Sequence, residues 1–363
     1  MRLPLLRALT VVGATLLALL LGEAGLRLFY KLSGRDIMAI KPVSAYNRVR
    51  PELGRFVSHP FLPYAQRPGD RRTLKVYRPE TKRTYSYEYS LNSLGFRTPE
   101  RPFEKPAGVK RIVAVGGSTT ADGFNDAETW PARLEAKLNE EYAGKGFRVE
   151  VVNLGVVGAA SPTSLINLEF VGVEYRPDLV ISYDGVNDYA LVGFEGIAPD
   201  YQNAYRDFDE EYRSWQSYLP GWAFRSYLVT CVSYALDRAD GSSDLAARVM
   251  TVKGLKPSGD ALAGMHLFER NLRLERAVSS AHGARFLAAT AHWVAPVRKV
   301  SAMNDELRVF FAREGIDYVD LDALLPHGDW SLHVDEVHWT REGIERVAEE
   351  MRKRIVEGKL LGL

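Results

Sequence analysis

From about residue 109 onward, short runs of β-branched and other apolar residues alternate with stretches of helical periodicity. One such stretch, Glu128–Tyr142, carries Trp130, Leu134 and Leu138 on a single helical face. Because strands that alternate with helices place those helices over both faces of a sheet, the pattern predicts a covered parallel sheet. The runs that we interpret as strands are Arg111–Val115, Val149–Val152, Asp178–Tyr183, Ala284–Thr290 and Ile316–Leu321, and a helix at Thr340–Lys359 closes the chain.

The rest of the chain differs from this pattern in three places. Residues 1–30 are apolar, and residues 31–108 form a basic, proline-punctuated extension with a predicted β-segment at Arg83–Leu91. Within the domain at residues 109–363, the aromatic-rich interval at about 189–254 breaks the alternation, and we predict a helical insertion there. Such an insertion can act as a lid, a wall for an apolar or sugar substrate, or a bilayer-facing surface, or it can simply pack its aromatic rings inward.

The first thirty residues suit a membrane segment. The stretch Ala8–Gly22 carries no charge. Its length is short for a membrane span, which needs about 20 residues, and it also matches the apolar core of a signal peptide. A span from Leu3 to Tyr30 is long enough if Arg7 extends to one membrane surface and Glu23 and Arg27 lie near the other. We predict an uncleaved anchor with the main domain on the periplasmic or extracellular side. A cleaved signal and a buried helix are the alternatives.

Composition excludes some classes of protein. The formal net charge of the 363 residues is +1, which gives no support to nucleic-acid binding. A single cysteine, Cys231, excludes an intrachain disulfide framework, and its apolar neighbours predict a buried, inert thiol. We expect no cofactor.

The stretch Val115–Phe124, VGGSTTADGF, follows the first predicted strand. A serine on a glycine-flanked corner is a common way to expose a nucleophile, although the same residues also suit a simple turn. Three other polar segments accompany the predicted strands in a similar way. Since segments that leave the carboxyl ends of parallel strands converge on one crevice, these distant residues can meet. The three segments are Asn153–Gly158, Asp184–Asp188 and Asp335–His338.

Together these segments contain the parts of a nucleophilic site. A serine hydroxyl needs a base, for which His338 is the candidate, and Asp335 can orient that imidazole. The backbone N–H groups of Ser118 and Gly158 and the side-chain amide of Asn187 can stabilise an oxyanion.

Other residues near these segments have less definite roles. His292 follows the fourth predicted strand and Thr119 follows the serine, so both are candidates to line a substrate pocket. A structural histidine is an equal interpretation for His292. His333, Asp335 and His338 have a spacing that also suits metal ligands, but no second ligand cluster is evident, and we predict no metal.

The segments GGSTT, NLGVVGAAS, GVND and DEVHWT resemble the four sequence blocks of the SGNH, or GDSL-like, hydrolase superfamily. The resemblance covers about residues 109–357 and implies a flavodoxin-like three-layer α/β/α fold and ester hydrolysis or acyl transfer. Block one here reads Gly-Gly-Ser-Thr-Thr rather than Gly-Asp-Ser-Leu, which weakens inference about the subfamily. By this resemblance Ser118 is the nucleophile, Gly158 and Asn187 are oxyanion donors, and Asp335 and His338 complete the triad.

The sequence therefore predicts a membrane-anchored serine esterase or deacylase that acts on an acyl ester. A looser resemblance, an N-terminal membrane segment followed by NSLGFR, points to O-acetyl groups on a cell-envelope glycan. The alternatives are an O-acyltransferase with the same triad, a lipase-type enzyme with the insertion as its lid, and a non-catalytic envelope-binding module.

Overall fold

A computed structural model gives the conformation of most of the chain. Residues 36, 58, 202 and 224, both termini and three longer intervals fall outside the described part. The description covers residues 2–35, 37, 56–57, 59–201, 203–204, 223, 225–239 and 255–362.

The centre of the molecule is a five-stranded sheet in which every neighbouring pair is parallel. Numbered along the chain, its strands lie in the order 2-1-3-4-5, which is the flavodoxin-like arrangement. In such a sheet a ligand crevice forms beyond the carboxyl ends of the first and third strands, where the order reverses. The sheet consists of β5 (Val109–Gly116), β6 (Arg148–Asn153), β7 (Leu179–Tyr183), β10 (Arg285–Ala289) and β11 (Asp317–Val319).

Helices cover both faces of the sheet and complete three layers. Strand residues alternate between two cores, so that Val113 packs with Phe268 and Phe310 on one side, while Ile112 packs with Trp130 and Val347 on the other. The predicted fold class is therefore confirmed. Besides the N-terminal helix α1 (Arg2–Ser33), the helices are α2 (Ser118–Ala121), α3 (Trp130–Glu141), α4 (Ser161–Asn167), α5 (Asp188–Leu191), α6 (Tyr227–Ala239), α7 (Met265–Ala281), α8 (Arg298–Glu314), α9 (Leu321–Leu324) and α10 (Arg341–Glu357).

The basic extension forms an antiparallel hairpin of β3 (Arg71–Arg78) and β4 (Arg83–Ser90), paired from Arg71 with Ser90 to Arg78 with Arg83. The predicted β-segment at Arg83–Leu91 is thus the second strand of this hairpin. The short strands β1 (Phe56–Val57) and β2 (Ala65–Gln66) form a second antiparallel pair ahead of it.

Within the described part of the aromatic interval, α5 and α6 are helical, while residues 192–201 and 203–204 form turns, irregular segments and one short strand. The two-residue strand β8 (Phe194–Glu195) pairs with β9 (Lys256–Pro257), so the ends of the interval meet in a short antiparallel ladder that the sequence did not suggest. Tyr201 is buried, and its hydroxyl accepts a hydrogen bond from Asn271 at 2.8 Å. The remaining aromatic residues from Tyr205 to Phe224 lie outside the described residues.

Helix α1 (Arg2–Ser33) contains Thr10–Ser33, which is long and apolar enough to cross a membrane, with a mean hydropathy of 1.7. Length and composition suit a membrane anchor and a signal sequence equally. The second half of the helix contacts α6. The Glu23 carboxylate accepts hydrogen bonds from the Ser226 hydroxyl at 2.7 Å and the Leu228 N–H at 2.9 Å. Cys231, predicted to be buried, is only half-buried, and its thiol lies 3.8 Å from the Tyr30 hydroxyl.

Candidate active site

Ser118 stands on a tight corner immediately after β5, where the sequence has two glycines. A Cβ atom added to Gly116 would lie 2.5 Å from the Tyr183 carbonyl oxygen, and one added to Gly117 would lie 2.9 Å from the Ala159 carbonyl oxygen. No side chain fits at either position, because the neighbouring backbones approach too closely. The two glycines therefore allow β5 to end between two other loops with Ser118 at the mouth of the crevice.

The three residues of the predicted triad lie in one hydrogen-bonded chain. The Nε2 atom of His338 is 2.8 Å from Ser118 Oγ, and its Nδ1 atom is 2.8 Å from Asp335 Oδ2 and 2.9 Å from Asp335 Oδ1. The Asp335 Oδ1 atom also accepts hydrogen bonds from the backbone N–H groups of Val337 and His338, at 3.0 and 2.8 Å. The loop that precedes α10 thus fixes both the carboxylate and the imidazole relative to the serine.

The surroundings favour an ionised Asp335 and a basic His338. Burial alone would raise the pKa of Asp335, but the hydrogen bond from His338 and the charges of His338 and Arg78 outweigh it and lower that pKa below 3.8. Burial alone would lower the pKa of His338, but the hydrogen bond to Asp335 and the charges of Asp335 and Asp122 raise it above 6.5. The Asp122 carboxylate lies 3.8 Å from His338 Nε2. A base of this kind accepts a proton readily.

Arg78 is a residue of this site that the sequence analysis missed. It ends the first strand of the N-terminal hairpin, and its Nη1 atom lies 2.8 Å from Asp335 Oδ2. The side chain is 26% exposed and that of Asp335 is 11% exposed, so solvent only partly screens this ion pair. The hairpin therefore supplies a cation that holds the carboxylate. Its positive charge also opposes protonation of His338 and so offsets part of the rise in the pKa of that imidazole.

We expect the Arg78→Met substitution to move the acidic limb of the pH profile of kcat/KM to higher pH. His338 acts as a base only when it is neutral, and removal of the Arg78 charge raises the pKa of that imidazole further. If the acidic limb moves by about half a pH unit, kcat/KM at pH 6 falls about threefold relative to kcat/KM at pH 8.5. The exposed Lys75→Met, on the same strand, is the matched control and should leave the profile unchanged. An equal loss at every pH would show that Arg78 acts only on the fold.

The predicted oxyanion donors lie on the two loops that flank Ser118. Gly158 has φ of +76°, a conformation that favours glycine, and Asn187 directs its side-chain amide to the Ala159 carbonyl oxygen at 2.6 Å. This hydrogen bond uses one of the two N–H groups of the Asn187 amide and leaves the other for a ligand. The amide also lies next to the position that a Gly117 side chain would occupy, one residue from Ser118.

Residues of the N-terminal extension hold the Gly158 loop in place. The Tyr64 hydroxyl donates a hydrogen bond to the Val157 carbonyl oxygen at 2.8 Å, and the buried Gln66 side chain donates to Gly155 O at 3.2 Å. Tyr89, on the hairpin, donates to Gln66 Oε1 at 2.6 Å. The extension therefore contacts both the Asp335 carboxylate and the Gly158 loop.

A cavity of about 80 Å³ opens beside the serine. One wall comes from the hydrolase-like sequence blocks and the opposite wall from the N-terminal hairpin. Thr119, a candidate for the substrate pocket, lines this cavity. The other lining residues include Ser118, Asp122, His338 and Trp339 on one side and Leu74, Val76, Arg78, Tyr87 and Tyr89 on the other.

His292 does not line this cavity, contrary to one of the two interpretations of the sequence. Its ring is fully buried and stacks on those of His327, His333 and Trp339. The alternative metal set of His333, Asp335 and His338 is not assembled, because Asp335 and His338 bond directly to each other while His333 Nδ1 faces the Asp329 carbonyl oxygen at 3.4 Å.

The two aspartates that flank Asn187 are buried. Asp188 accepts hydrogen bonds from the hydroxyl of Ser161 at 2.6 Å and from its N–H at 3.1 Å, and Asp184 accepts from Ser164 at 3.0 Å. These contacts tie the segments after β6 and β7 together.

A hydroxyl, an imidazole and a carboxylate in hydrogen-bond contact, at the carboxyl edge of a flavodoxin-like sheet, are features of a serine ester hydrolase. The family model for the GDSL-like lipase/acylhydrolase family matches residues 112–351. The chain therefore belongs to that family, and the predicted class of enzyme is confirmed.

Several solved structures are similar to part of this chain at low sequence identity. An acetylxylan esterase from Geobacillus stearothermophilus is 15% identical, with a TM-score of 0.44, over 68% of this chain and 94% of that one. A protein from Desulfitobacterium hafniense, described as a lipolytic protein of the G-D-S-L family, is 12% identical, with a TM-score of 0.41, over 68% and 99%. No curated protein sequence matches the chain.

Proposed function

We propose that this protein is a serine esterase that removes a short acyl group, with O-acetyl on a cell-envelope glycan as its substrate. The observation that carries the proposal is the 2.8 Å contact between Ser118 Oγ and His338 Nε2, on an imidazole whose other nitrogen bonds to Asp335. Asp335 keeps the proton of the neutral ring on Nδ1, so that Nε2 is free to accept the serine proton.

The reaction proceeds in two halves. His338 takes the proton of Ser118 as Oγ bonds to the ester carbonyl carbon, and the protonated imidazole then returns that proton to the leaving alcohol as the ester bond breaks. Water next attacks the acyl-enzyme and gives its proton to His338. The acid is released, and Ser118 regains its proton.

Three N–H groups are proposed to stabilise the oxyanion of each tetrahedral intermediate. They are the backbone N–H groups of Ser118 and Gly158 and the free amide N–H of Asn187. One such donor typically contributes about 3–4 kcal/mol to stabilisation of the transition state. The positive φ of Gly158 supports its part in this role, because it lets the backbone itself face the substrate without a side chain.

The small cavity supports a short acyl group. A site needs roughly 10–15 Å³ to hold one water molecule, so about 80 Å³ accommodates roughly five to eight groups of that size. An acetyl group fits this limit, whereas a long acyl chain would extend beyond it. The described part of the site therefore favours deacetylation over lipase activity.

A retained N-terminal helix supports a site of action at the cell envelope. The hydrogen bonds from Ser226 and Leu228 to Glu23 incorporate α1 into the fold, and cleavage after a signal sequence would remove this carboxylate or separate it from its helix. We therefore propose an anchored protein with its hydrolase domain outside the cytoplasm. Amino-terminal sequencing of the protein from the membrane fraction tests this, since a new terminus near residue 24 would refute it.

The functional test uses the full chain in detergent micelles and a series of esters with increasing acyl length. We expect kcat/KM to be highest for acetyl esters and to fall by at least about tenfold at the octanoyl ester, because the longer chain has no place in the cavity. Acetylated glycans are then assayed for free acetate and for acetyl transfer to an added sugar acceptor. A preference for long chains would indicate a lipase, transfer in excess of free acetate would indicate an acyltransferase, and no turnover of any ester would indicate a binding module.

A further inference from the structure

A group of imidazoles lies behind the loop that carries Asp335 and His338 and takes no part in the triad. His292 follows β10, and His327 and His333 belong to the connection between α9 and α10. The His292 ring stacks on the His327 ring with a centroid separation of 4.8 Å and on the His333 ring at 5.2 Å. Three histidines thus gather at one point of the fold.

His292 lacks the polar contacts that a buried imidazole requires. The residue is fully buried, and neither ring nitrogen has a hydrogen-bond partner among the described residues. A buried polar group without a partner is unfavourable, and in a native protein it usually marks a bound water or ion. A neutral imidazole has a lone pair on one ring nitrogen, which can bind a metal ion.

The contact between His327 and Asp322 points to the same location. The Nδ1 atom of His327 lies 2.9 Å from the Trp293 carbonyl oxygen and donates to it, which leaves the lone pair on Nε2. Nε2 faces Asp322 Oδ1 at 3.5 Å, and this oxygen is buried without a hydrogen bond in the part of the chain that is described. The Arg308 guanidinium pairs with the other carboxylate oxygen, Oδ2, at 2.8 Å, and a cation between His327 Nε2 and Asp322 Oδ1 would satisfy both of these electron-rich atoms.

The spacing suits a metal ion. Zn²⁺ binds nitrogen and oxygen ligands at about 2.0–2.2 Å, which places neighbouring ligands of a tetrahedral shell about 3.4 Å apart. One nitrogen from each histidine and the Asp322 oxygen all lie within 4.8 Å of one another, so a modest contraction would bring three ligands to one ion, with a water molecule as the fourth. The bond from His327 Nδ1 to a carbonyl oxygen is the usual outer contact of a metal-bound histidine.

We propose that His292, Asp322 and His327 bind a Zn²⁺ ion. The ion would join the segment after β10 to the connection that leads into the Asp335–His338 loop, and its role would be to stabilise that connection. This set shares no residue with the His333, Asp335 and His338 combination considered from the sequence. The proposal is independent of the esterase activity, because metal binding is measured directly.

The test uses the full chain in detergent, prepared without a polyhistidine tag, stripped with a chelator and dialysed against buffered Zn²⁺. Elemental analysis should find one Zn²⁺ per chain. The His327→Gln substitution removes an exposed ligand and should weaken binding at least about 100-fold. His266→Gln is the matched control, because His266 is also exposed and its Nδ1 also faces a carbonyl oxygen, that of Ala263, at 3.1 Å.

Two further readouts follow the same samples. Co²⁺ in place of Zn²⁺ should give the visible absorption of a tetrahedral site in the parent and the His266→Gln variant and not in His327→Gln. Zn²⁺ should raise the Tm of the same two proteins. A parent chain that takes up no Zn²⁺, or a folded His327→Gln variant that binds it as tightly as the parent, would overturn the proposal.

Discussion

The Ser118→Ala substitution is expected to lower kcat for acetyl ester hydrolysis by at least about 10⁴-fold, because it removes the atom that forms the acyl-enzyme. The residual rate would come from the oxyanion donors and from substrate binding. Little change in the free energy of unfolding is expected, since the only hydrogen bond of this hydroxyl to a described residue is the one with His338, in a small cavity. The measurement is kcat on an acetyl ester, with folding monitored by circular dichroism.

A second substitution shows whether Ser118 and His338 act as one unit. When two residues act in the same step, removal of the second causes no further loss of kcat once the first is gone. The double variant Ser118→Ala/His338→Ala should therefore be no slower than Ser118→Ala alone. Ser280→Ala, an exposed serine in α7, is the control and should retain full activity. If the fold-loss of kcat in the double variant equals the product of the two single losses, the residues do not share one mechanism. A Ser118→Ala variant with more than a tenth of the parent kcat would exclude this serine as the nucleophile.

The Asp335→Asn substitution is expected to lower kcat by about 10⁴-fold while it leaves the protein folded. An amide at this position can donate its N–H to Nδ1, which would move the ring proton to Nε2 and direct it toward Ser118. The base would then lack the lone pair that accepts the serine proton. Asp335 also pairs with Arg78, so the substitution leaves a cation beside the imidazole and disfavours its protonated form further.

Glu336→Gln is the control for this prediction, because Glu336 is the next residue, is exposed and also loses a carboxylate. Its kcat should equal that of the parent. Comparable losses of kcat in the two variants would show that the loop tolerates no change. A loss of kcat below tenfold in Asp335→Asn would show that the carboxylate does not orient His338.

The sequence predicts the sheet well because each strand is a compact apolar run between helices. The five predicted runs correspond to the five strands of the sheet, within a few residues at each end. Ser118 and His338 are 220 positions apart in the sequence. Their proximity could still be predicted, because parallel strands place their carboxyl ends at one edge of the sheet.

Arg78 could not be predicted in this way. It is one of many basic residues in the extension, and nothing near it in the sequence marks it as the partner of a carboxylate. Its contact with Asp335 depends on how a separate hairpin packs against a loop from the far end of the chain. The same holds for Tyr64 and Gln66, which support the Gly158 loop through contacts that have no local pattern.

His292 illustrates a different limit. Its position after a strand predicts equally a pocket residue and a structural one, and only its burial decides between them. Its neighbours in space, His327 and Asp322, are more than 25 positions away in the sequence and do not form a spacing typical of metal ligands.

The most direct test of the proposed mechanism is labelling of the full chain by a fluorophosphonate probe, which bonds covalently to a serine only when a base activates it. The parent and the Glu336→Gln variant should be labelled, with the modified peptide containing Ser118, and labelling should disappear in Ser118→Ala and His338→Ala. A label that persists in folded Ser118→Ala, or that maps to another residue of the parent, would contradict the assignment of Ser118 as the nucleophile.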